Sequence, residues 1–421
     1  MILTALQVEN FKCFEHIEWE LHPRFNLIVG INGTGKTALL EAARIAVGSL
    51  FLEMDKYEDL VWSPGIEPGH IRLAHLEPQY PARITGRASA AYPADEHAEG
   101  RYTMTWARSL DKSGGRTTKV HARPMQAYSR HLQEQVRAGA AVVLPLVAYY
   151  STDRFKRERR DTGIVPDGTR LRGYFHALAP GSNFKFFLDL YKTETLAGLQ
   201  RGESSVWLEA VNRSVTACVP DSLRMYHDVK RDELLIELRS IRDLMPYHAL
   251  SEGVRSMLGL VMELAFRCCL LNPHLGADAP ALTPGVILID ELDLHLHPSW
   301  QKNVIGDLQQ AFPMMQFIAS THAPLVIGSL RDGAVLSISD RQVYPFPPQY
   351  GRDANAILRE MDTEPMAGTL RQDLDHYFLM IEAGEGNTPQ AAALRMELQH
   401  MLGDHHPEIE RADLLLQFFA A

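Results

Sequence analysis

The chain has 421 residues, a length that suggests two or three folded units, and 42 Lys plus Arg against 52 Asp plus Glu give a net charge of −10. That acidic balance argues against a protein that coats nucleic acid through its overall charge, though it leaves room for a local basic patch. No apolar run reaches the ~18 residues of a membrane helix, the N-terminus shows no secretory leader, and the four cysteines form no CxxC pair, so a reducing cytoplasm is expected.

In chain order, ILTALQV (2–8) and CFEHIEWE (13–20) read as strands, and Phe25 to Val29 as a short buried strand. A helical pattern runs from Lys36 to about Met54. Residues 70–122 hold alternating strands, including ARITGRASAAY and RYTMTWARSL, and predict an antiparallel β subdomain within 55–140. VVLPLVAYY (142–150) is a further buried strand, and 151–172 reads as a polar, basic loop. Helix is predicted over 183–217 and 249–271, within a helical region spanning 151–275. Then come a strand at Val286–Ile289, a helix over 298–311 and a strand at Gln316–Ala319. Beyond residue 342 the chain changes character. Leu370, Leu374, Tyr377, Phe378 and Ile381, then Leu394, Leu398, Met401 and Leu402, recur at helical spacing. Gly384 and Gly403 are placed to stop these two helices, and Thr388-Pro389 opens the second. A helical tail over 343–421 is expected.

Three elements carry chemistry. Gly30-Ile31-Asn32-Gly33-Thr34-Gly35-Lys36-Thr37 matches G-x-x-x-x-G-K-[ST] between an apolar strand and a helix. Its glycines allow the backbone to wrap a polyphosphate. Lys36 would reach the β- and γ-phosphates, and the Thr37 hydroxyl would bind Mg²⁺. Val286-Ile287-Leu288-Ile289-Asp290-Glu291 is an apolar strand ending in two carboxylates. Alone this is an ordinary acidic turn. Beside a phosphate loop, Asp290 is expected to hold Mg²⁺ and Glu291 to orient the attacking water or accept its proton. Leu250-Ser251-Glu252-Gly253-Val254-Arg255 opens the 250–271 helix, with Ser251 as N-cap and Gly253 leaving space at the helix end.

The order phosphate loop, Ser-x-Gly helix start, ILIDE, then His322 within Ile318-Ala319-Ser320-Thr321-His322-Ala323-Pro324 resembles an ABC-type ATPase of the RecF/SMC/OLD-like group. LQVENFKCFEHIEWELHPRFNLIVGINGTGKTALLEA, VAYYSTDR (147–154), IDELDLHLHPSWQ (289–301), STHAPLVI (320–327) and YGRDANAIL (350–358) are similar to bacterial AAA-family ATP-binding proteins of virulence or anti-phage defence, including Septu-type and retron-associated ATPases. The resemblance covers roughly 1–54 and 142–342. It implies an α/β P-loop ATPase head over 1–342 that hydrolyses ATP with Mg²⁺. It further implies a homodimer or higher homo-oligomer joined head to tail around two ATP molecules, and control of an effector such as a nuclease. Ser251 and Gly253 would meet the γ-phosphate held by the partner's loop. Asp293 would lie in the D-loop, His322 would sense the γ-phosphate, and Lys12 would lie near the adenine or phosphates. LSEGVR departs from LSGGQ, and the Q-loop position falls on either Gln79 or Tyr149–Arg154.

Smaller signals are weaker. His295-Leu296-His297 has the spacing of a metal pair but no third ligand, and the resemblance places it just after the D-loop as a structural or interface segment. Arg154, Lys156, Arg157, Arg159 and Arg160 form a basic run suited either to nucleic acid or to a solvated face. Cys268-Cys269 reads as a pair of small hydrophobes in a buried helix. An alternative function is an ATP-dependent DNA-binding repair or nuclease-type protein of the OLD/RecF class. For a built-in nuclease only 421 − 322 = 99 residues follow His322, and the Asp373-Leu374-Asp375 pair places Leu374 on an apolar helix stripe. A coiled-coil arm is not expected, because the 251 − 37 = 214 residues between loop and Ser251 lack sustained heptads. The tail, with Tyr377, Phe378, Phe418 and Phe419, is expected to dock a partner or a second ATPase dimer.

Overall fold

A computed structural model describes residues 1–54, 61–91, 101–155, 169–181, 183–219, 221–239, 243–361, 363, 368–403 and 406–420. The elements in chain order are β1 (Ile2–Phe11), β2 (Phe14–Glu20), β3 (Phe25–Val29), α1 (Lys36–Val47), β4 (Leu73–Ala74), β5 (Glu77–Pro78), β6 (Ala82–Ala91), β7 (Arg101–Leu110) and α2 (Arg123–Arg137). There follow β8 (Leu146–Tyr150), α3 (Phe184–Arg201), α4 (Val206–Cys218), β9 (Ser222–Asp228), β10 (Glu233–Leu238), β11 (Asp243–Pro246) and α5 (Glu252–Leu271). Next are α6 (Ala279–Leu282), β12 (Gly285–Ile289), α7 (Pro298–Gln301), α8 (Val304–Ala311), β13 (Met315–Ser320), α9 (Pro324–Ile327), β14 (Ala334–Ser339) and β15 (Gln342–Pro345). The C-terminal helices are α10 (Ala354–Glu360), α11 (Gly368–Glu382), α12 (Pro389–Leu402) and α13 (Pro407–Ala420). The chain divides into two compact units, Met1–Arg352 and Asp353–Ala421.

Among the described residues of the first unit, six strands form a sheet in the order β15-β14-β3-β13-β12-β8. It is parallel except for the β14–β15 hairpin. Strands β3, β8, β12 and β13 are buried along their whole length. Parallel strands covered on both faces need continuous apolar runs, which is what FNLIV, LVAYY and GVILI supply. The β15 strand pairs with β14, so residues 342–345 go with this unit rather than with a tail beginning at 343.

A second sheet, β2-β1-β6-β7, is antiparallel. The strands expected as a β subdomain, β6 and β7, therefore extend the N-terminal hairpin through the β1–β6 pairing, and residues 123–137 form helix. Between the two sheets runs α1, which packs against β1, β6 and β7 as well as β12 and β13. It is buried on nearly every side, so its residues are mostly Ala, Leu, Ile and Val. Trp106 Nε1 of β7 donates to the Ala46 carbonyl of α1 at 2.9 Å. Buried Gln316 on β13 bridges to β1, accepting from Leu3 N at 2.8 Å and donating to Leu3 O at 2.7 Å. The pattern expected as one helix to Met54 leaves the α form at Val47 and finishes as a 3-10 turn, Gly48–Phe51. The expected 298–311 helix is likewise broken into α7 and α8.

The helical region contains α3 and α4, separated where Gly202 takes φ 70°, and a three-stranded antiparallel sheet β11-β10-β9 that the sequence reading did not identify. Its signal is present in retrospect: ELLIEL is apolar, and Asp228 Oδ1 accepts from Lys230 N at 2.9 Å to make the preceding turn. Helix α5 packs on α3, α4 and β8. Glu263 and Arg267, which interrupt its apolar sequence, are 6% and 0% exposed. Arg267 donates from Nε and Nη2 to Glu263 Oε1 at 3.0 and 2.7 Å, and from Nη1 to Gly173 O at 2.7 Å. The buried pair thus ties α5 to the Arg170–Tyr174 turn.

In the second unit α11, α12 and α13 enclose a core of Leu374, Tyr377, Ile381, Ala391, Leu398, Ile409 and Ala412. Thr388 caps α12, accepting from Ala391 N at 3.3 Å, and Arg395 makes a two-toothed pair with Asp413, 2.8 and 2.9 Å from Nη2. Tyr377 and Phe378, offered by the sequence as docking aromatics, are instead spent on this core at 0% and 9% exposure. Phe418 is exposed, and the Phe419 side chain lies outside the described residues. Leu374 is fully buried and Asp375 pairs with Arg371 at 2.9 Å, so Asp373 and Asp375 flank a core position on one helix.

Arg267→Met leaves the Glu263 carboxylate buried without its cation and is expected to cost about 3–5 kcal/mol in urea denaturation. The double replacement Glu263→Leu with Arg267→Met removes both charges and should cost much less.

Candidate functional site

Three adjacent parallel strands, β3, β13 and β12, deliver the expected residues to one edge of the sheet. In register, Ser320 of β13 lies opposite Ile28 of β3, and Ile289 of β12 lies opposite Ala319 of β13 and Tyr150 of β8. Each of these strands runs into a segment that carries expected residues. Loop 30–37 follows β3, Asp290-Glu291 follows β12, Thr321-His322 follows β13, and Ser151 to Arg154 follows β8. Ligand sites in parallel sheets gather at this carboxyl edge because helices and turns leave a crevice there.

The loop brings the start of α1 to that crevice. Gly35, the residue before the helix, takes φ 111°, and a Cβ there would stand 2.5 Å from Cys13 Sγ and 2.6 Å from the Phe14 ring. Only glycine meets both demands. No side chain caps the first turn of α1, and uncapped helix N–H groups of this kind can bind an anion. Lys36 Nζ donates to Gly30 O and Ile31 O, both at 2.9 Å. Thr34 Oγ1 donates to Ile31 O at 3.0 Å, while Asn32 and Gly33 form the exposed tip with Ile31.

The acidic turn closes against this loop. Thr37 Oγ1 donates to Asp290 Oδ2 at 2.9 Å, and Ser320 Oγ donates to Asp290 Oδ1 at 2.6 Å. The Ser320 oxygen in turn accepts from Glu291 N at 2.8 Å. Glu291 takes φ 49°, a left-handed conformation that a glutamate adopts only when its surroundings hold it there. Asp293 Oδ1 accepts from Thr321 Oγ1 at 2.5 Å and from His322 N at 3.3 Å, which fixes the histidine turn. Burial pushes the Lys36 ammonium pKa down, opposed by Asp290, Glu291 and Asp293. His322 is lowered by burial and then by Lys36, opposed by Asp293, Glu291 and Asp290. Lys36, Thr37, Asp290, Glu291, Asp293 and His322 therefore form one electrostatic cluster. A hydroxyl and a carboxylate converging at 2.9 Å make a hard-oxygen pair suited to Mg²⁺.

Residues 2–332 match the model of the RecF/RecN/SMC N terminal domain. The chain belongs to this family. It is similar to the Septu protein PtuA of Bacillus mycoides (strain KBAB4), 26% identical over 415 residues that make up 93% of this chain and 49% of that protein. It is also similar to the retron Vc95 probable ATPase of Vibrio cholerae serotype O1 biovar El Tor, 37% identical over 119 residues, 27% of this chain and 23% of that one. The chain spans about half or less of the length of these relatives. Among solved structures, the SMC head domain from Thermotoga maritima matches with TM-score 0.43 and 16% identity, covering 82% of this chain and 99% of that one.

Lys12, Ser251 and Gly253, expected from the RecF/SMC/OLD-like resemblance, have contacts of their own. Lys12 forms an ion pair with Glu41 of α1, and its N–H donates to His70 O at 2.6 Å. Ser251 caps α5, accepting from Val254 N at 3.4 Å. Gly253 lies against the His295 carbonyl, 2.4 Å from where a Cβ would be, so its first role is to let the segment after Asp293 pass. No hydrogen bond among the described residues joins Ser251 or Gly253 to the Lys36 cluster. Of the two Q-loop candidates, Tyr149–Arg154 lies beside Asp290. Gln79 directly follows β5, its N–H bonded to Arg72 O at 2.9 Å. His295 Nδ1 lies 3.4 Å from Glu252 Oε2, and His297 caps α7 by accepting from Ser299 N.

Arg154 is the principal correction. The basic run reads as a solvated face or a nucleic-acid contact, yet the Arg154 side chain is buried and donates to Ser151 O at 3.1 Å, Asp290 O at 2.5 Å and Glu291 O at 2.9 Å. Lys156, Arg157, Arg159 and Arg160 lie outside the described residues. The sequence held one clue: Arg154 comes four residues after the end of the apolar run of β8, near the same sheet edge as Asp290.

With a pKa below its ordinary 6.5, His322 remains neutral at pH 7. The unfolded chain takes up a proton first as pH falls, so His322 withdraws stability from 6.5 down to its folded pKa. Histidine NMR titration should place His322 below 6.5, and Lys36→Ala should shift it upward by removing a neighbouring positive charge.

Proposed function

We propose that the protein is an ATP-binding and ATP-hydrolysing switch that pairs head to tail with a second copy around ATP and regulates a partner effector. The observation that carries this reading is the convergence of Lys36, Thr37, Asp290, Glu291 and His322 at one sheet edge, with Thr37 bonded to Asp290 across 253 residues of chain. The phosphate-loop amides and Lys36 bind the polyphosphate and carry positive charge toward the β- and γ-oxygens. Thr37 and Asp290 would hold Mg²⁺, which would neutralise phosphate charge when bound. The Glu291 carboxylate orients a water on the γ-phosphorus and accepts its proton. The neutral His322 imidazole offers a ring nitrogen to the γ-phosphate side of the site. Water adds to phosphorus as the bridging bond to ADP breaks, giving ADP and inorganic phosphate.

Pairing is supported by the position of Ser251. Ser251 caps the start of α5 by accepting from Val254 N, and this helix start makes no hydrogen bond to the Lys36 cluster of the same chain among the described residues, a placement suited to a γ-phosphate held by another subunit. The resemblance to Septu and retron ATPases supports a setting in bacterial anti-phage defence, in the cytoplasm, with an effector such as a nuclease as partner. Among the described residues no helix is long and apolar enough to cross a membrane.

Lys36→Ala removes the point charge on the phosphates and should weaken ATP binding by ~1.5–3 kcal/mol, about 10- to 150-fold, in equilibrium binding. Glu291→Gln keeps the shape but loses the proton acceptor. It should bind ATP, accumulate as a closed pair on sizing columns and lose ~10²–10⁴ in turnover. Turnover within a few-fold of wild type would remove Glu291 from its role.

Ser251→Arg should bind ATP in its own loop yet not hydrolyse it. Mixing Ser251→Arg with Lys36→Ala subunits should restore part of the activity, because one of the two composite sites then carries neither lesion. Mixed pairs that form but stay inactive would count against shared sites.

A further inference from the structure

Glu291 carries its carboxylate on a backbone at φ 49°, so something other than its own conformational preference must hold it in place. One support is Ser320, whose hydroxyl accepts from Glu291 N at 2.8 Å. A second is Arg154. Its Nη1 reaches Asp290 O at 2.5 Å and its Nη2 reaches Glu291 O at 2.9 Å, so a single planar group spans two consecutive carbonyls. The same Nη1 bonds Ser151 O at 3.1 Å, anchoring the guanidinium to the end of β8. Burial pulls the Arg154 pKa down to about 10, opposed by the nearby Asp290, Glu291 and Asp293 carboxylates, so the group keeps its charge at neutral pH.

The opposite side of this clamp opens on a cavity of about 610 Å³ that Arg154 lines with Glu252, Arg255 and His295. The chain between the two sides is a series of tight turns: Leu294 N donates to Glu291 O and Leu296 N to Asp293 O, both at 3.0 Å, and His295 O meets Gly253 at the start of α5. Arg154 therefore stands where the Glu291 turn and the beginning of α5 share one wall.

We propose that Arg154 is the positioning residue for Glu291: its two-carbonyl clamp fixes the direction of the carboxylate for hydrolysis and does not contribute to ATP binding. The proposal rests on the ATPase reading above. A lysine in the same place retains the charge but cannot span two carbonyls with a rigid fork. The role therefore depends on geometry and not on charge alone.

The test is a double-mutant cycle on the full chain, read by single-turnover hydrolysis and by equilibrium ATP binding. Arg154→Met should slow turnover by about 10- to 100-fold while ATP affinity stays within about 3-fold. Arg154→Lys should fold and bind ATP equally well yet recover only a small part of the rate. In a Glu291→Gln background, where no proton acceptor remains to be aimed, adding Arg154→Met should change the residual rate by less than about 2-fold. If the two losses multiply, Arg154 acts independently of Glu291 and the proposal is overturned. Lost ATP affinity in Arg154→Lys would overturn it as well. Wild-type protein that binds no ATP would instead overturn the ATPase reading, an outcome distinct from multiplicative losses in an active enzyme.

Discussion

The hydrogen bond from Thr37 Oγ1 to Asp290 Oδ2 joins the two halves of the site, and it forms only because β3, β13 and β12 are neighbours in register in the central sheet. A parallel sheet buried on both faces cannot slip by one residue without driving apolar side chains against the wrong neighbours. The register therefore sets where each strand ends, and the ends carry the chemistry. Thr37, Asp290, Ser320 and His322 come together because the apolar runs preceding them are packed at fixed heights.

The same packing explains the strain at the site. Glu291 at φ 49° is a conformation that an isolated glutamate seldom holds. At Gly35, φ 111° costs a glycine little, and Phe14 and Cys13 leave no space for a side chain. At Glu291 the conformation is held by bonds from other strands: Ser320 from β13 on the amide side and Arg154 beyond the end of β8 on the carbonyl side. The left-handed backbone at Glu291 is sustained by contacts that reach across the sheet, and the buried Asp290 carbonyl is satisfied by the same guanidinium.

The packing of α1 between two sheets has a comparable consequence for the loop. With Trp106 bonded to Ala46 and Gln316 tying β13 to β1, the helix cannot shift along its axis without breaking buried hydrogen bonds. Its N-terminus is therefore a fixed donor group, which is what recognition of a phosphate by backbone amides needs. The second unit is built differently, around a core of short helices in which Tyr377 and Phe378 are consumed. What it exposes is a scatter of single apolar side chains such as Leu379, Met396, Leu414 and Phe418.

Much of the site was legible because its elements are local. A glycine-rich loop between an apolar strand and a helix, an apolar strand closed by Asp290-Glu291, and a Ser-capped helix at Ser251 are each written within a dozen residues, where backbone propensity and period decide the outcome. Most of the strands and helices that hold them were visible for the same reason. What the tertiary structure alone decided is which neighbours those elements meet. Arg154 is 136 residues from Asp290, and nothing in a run of basic residues says that its first member turns inward to hold two carbonyls. Gly253 meets the His295 carbonyl, β6 and β7 join β1, and Tyr377 turns into its own unit's core. These depend on contacts between segments far apart in the chain. Sequence pattern marks which side chains must be buried, but the partners that bury them are chosen by the packing of the whole fold.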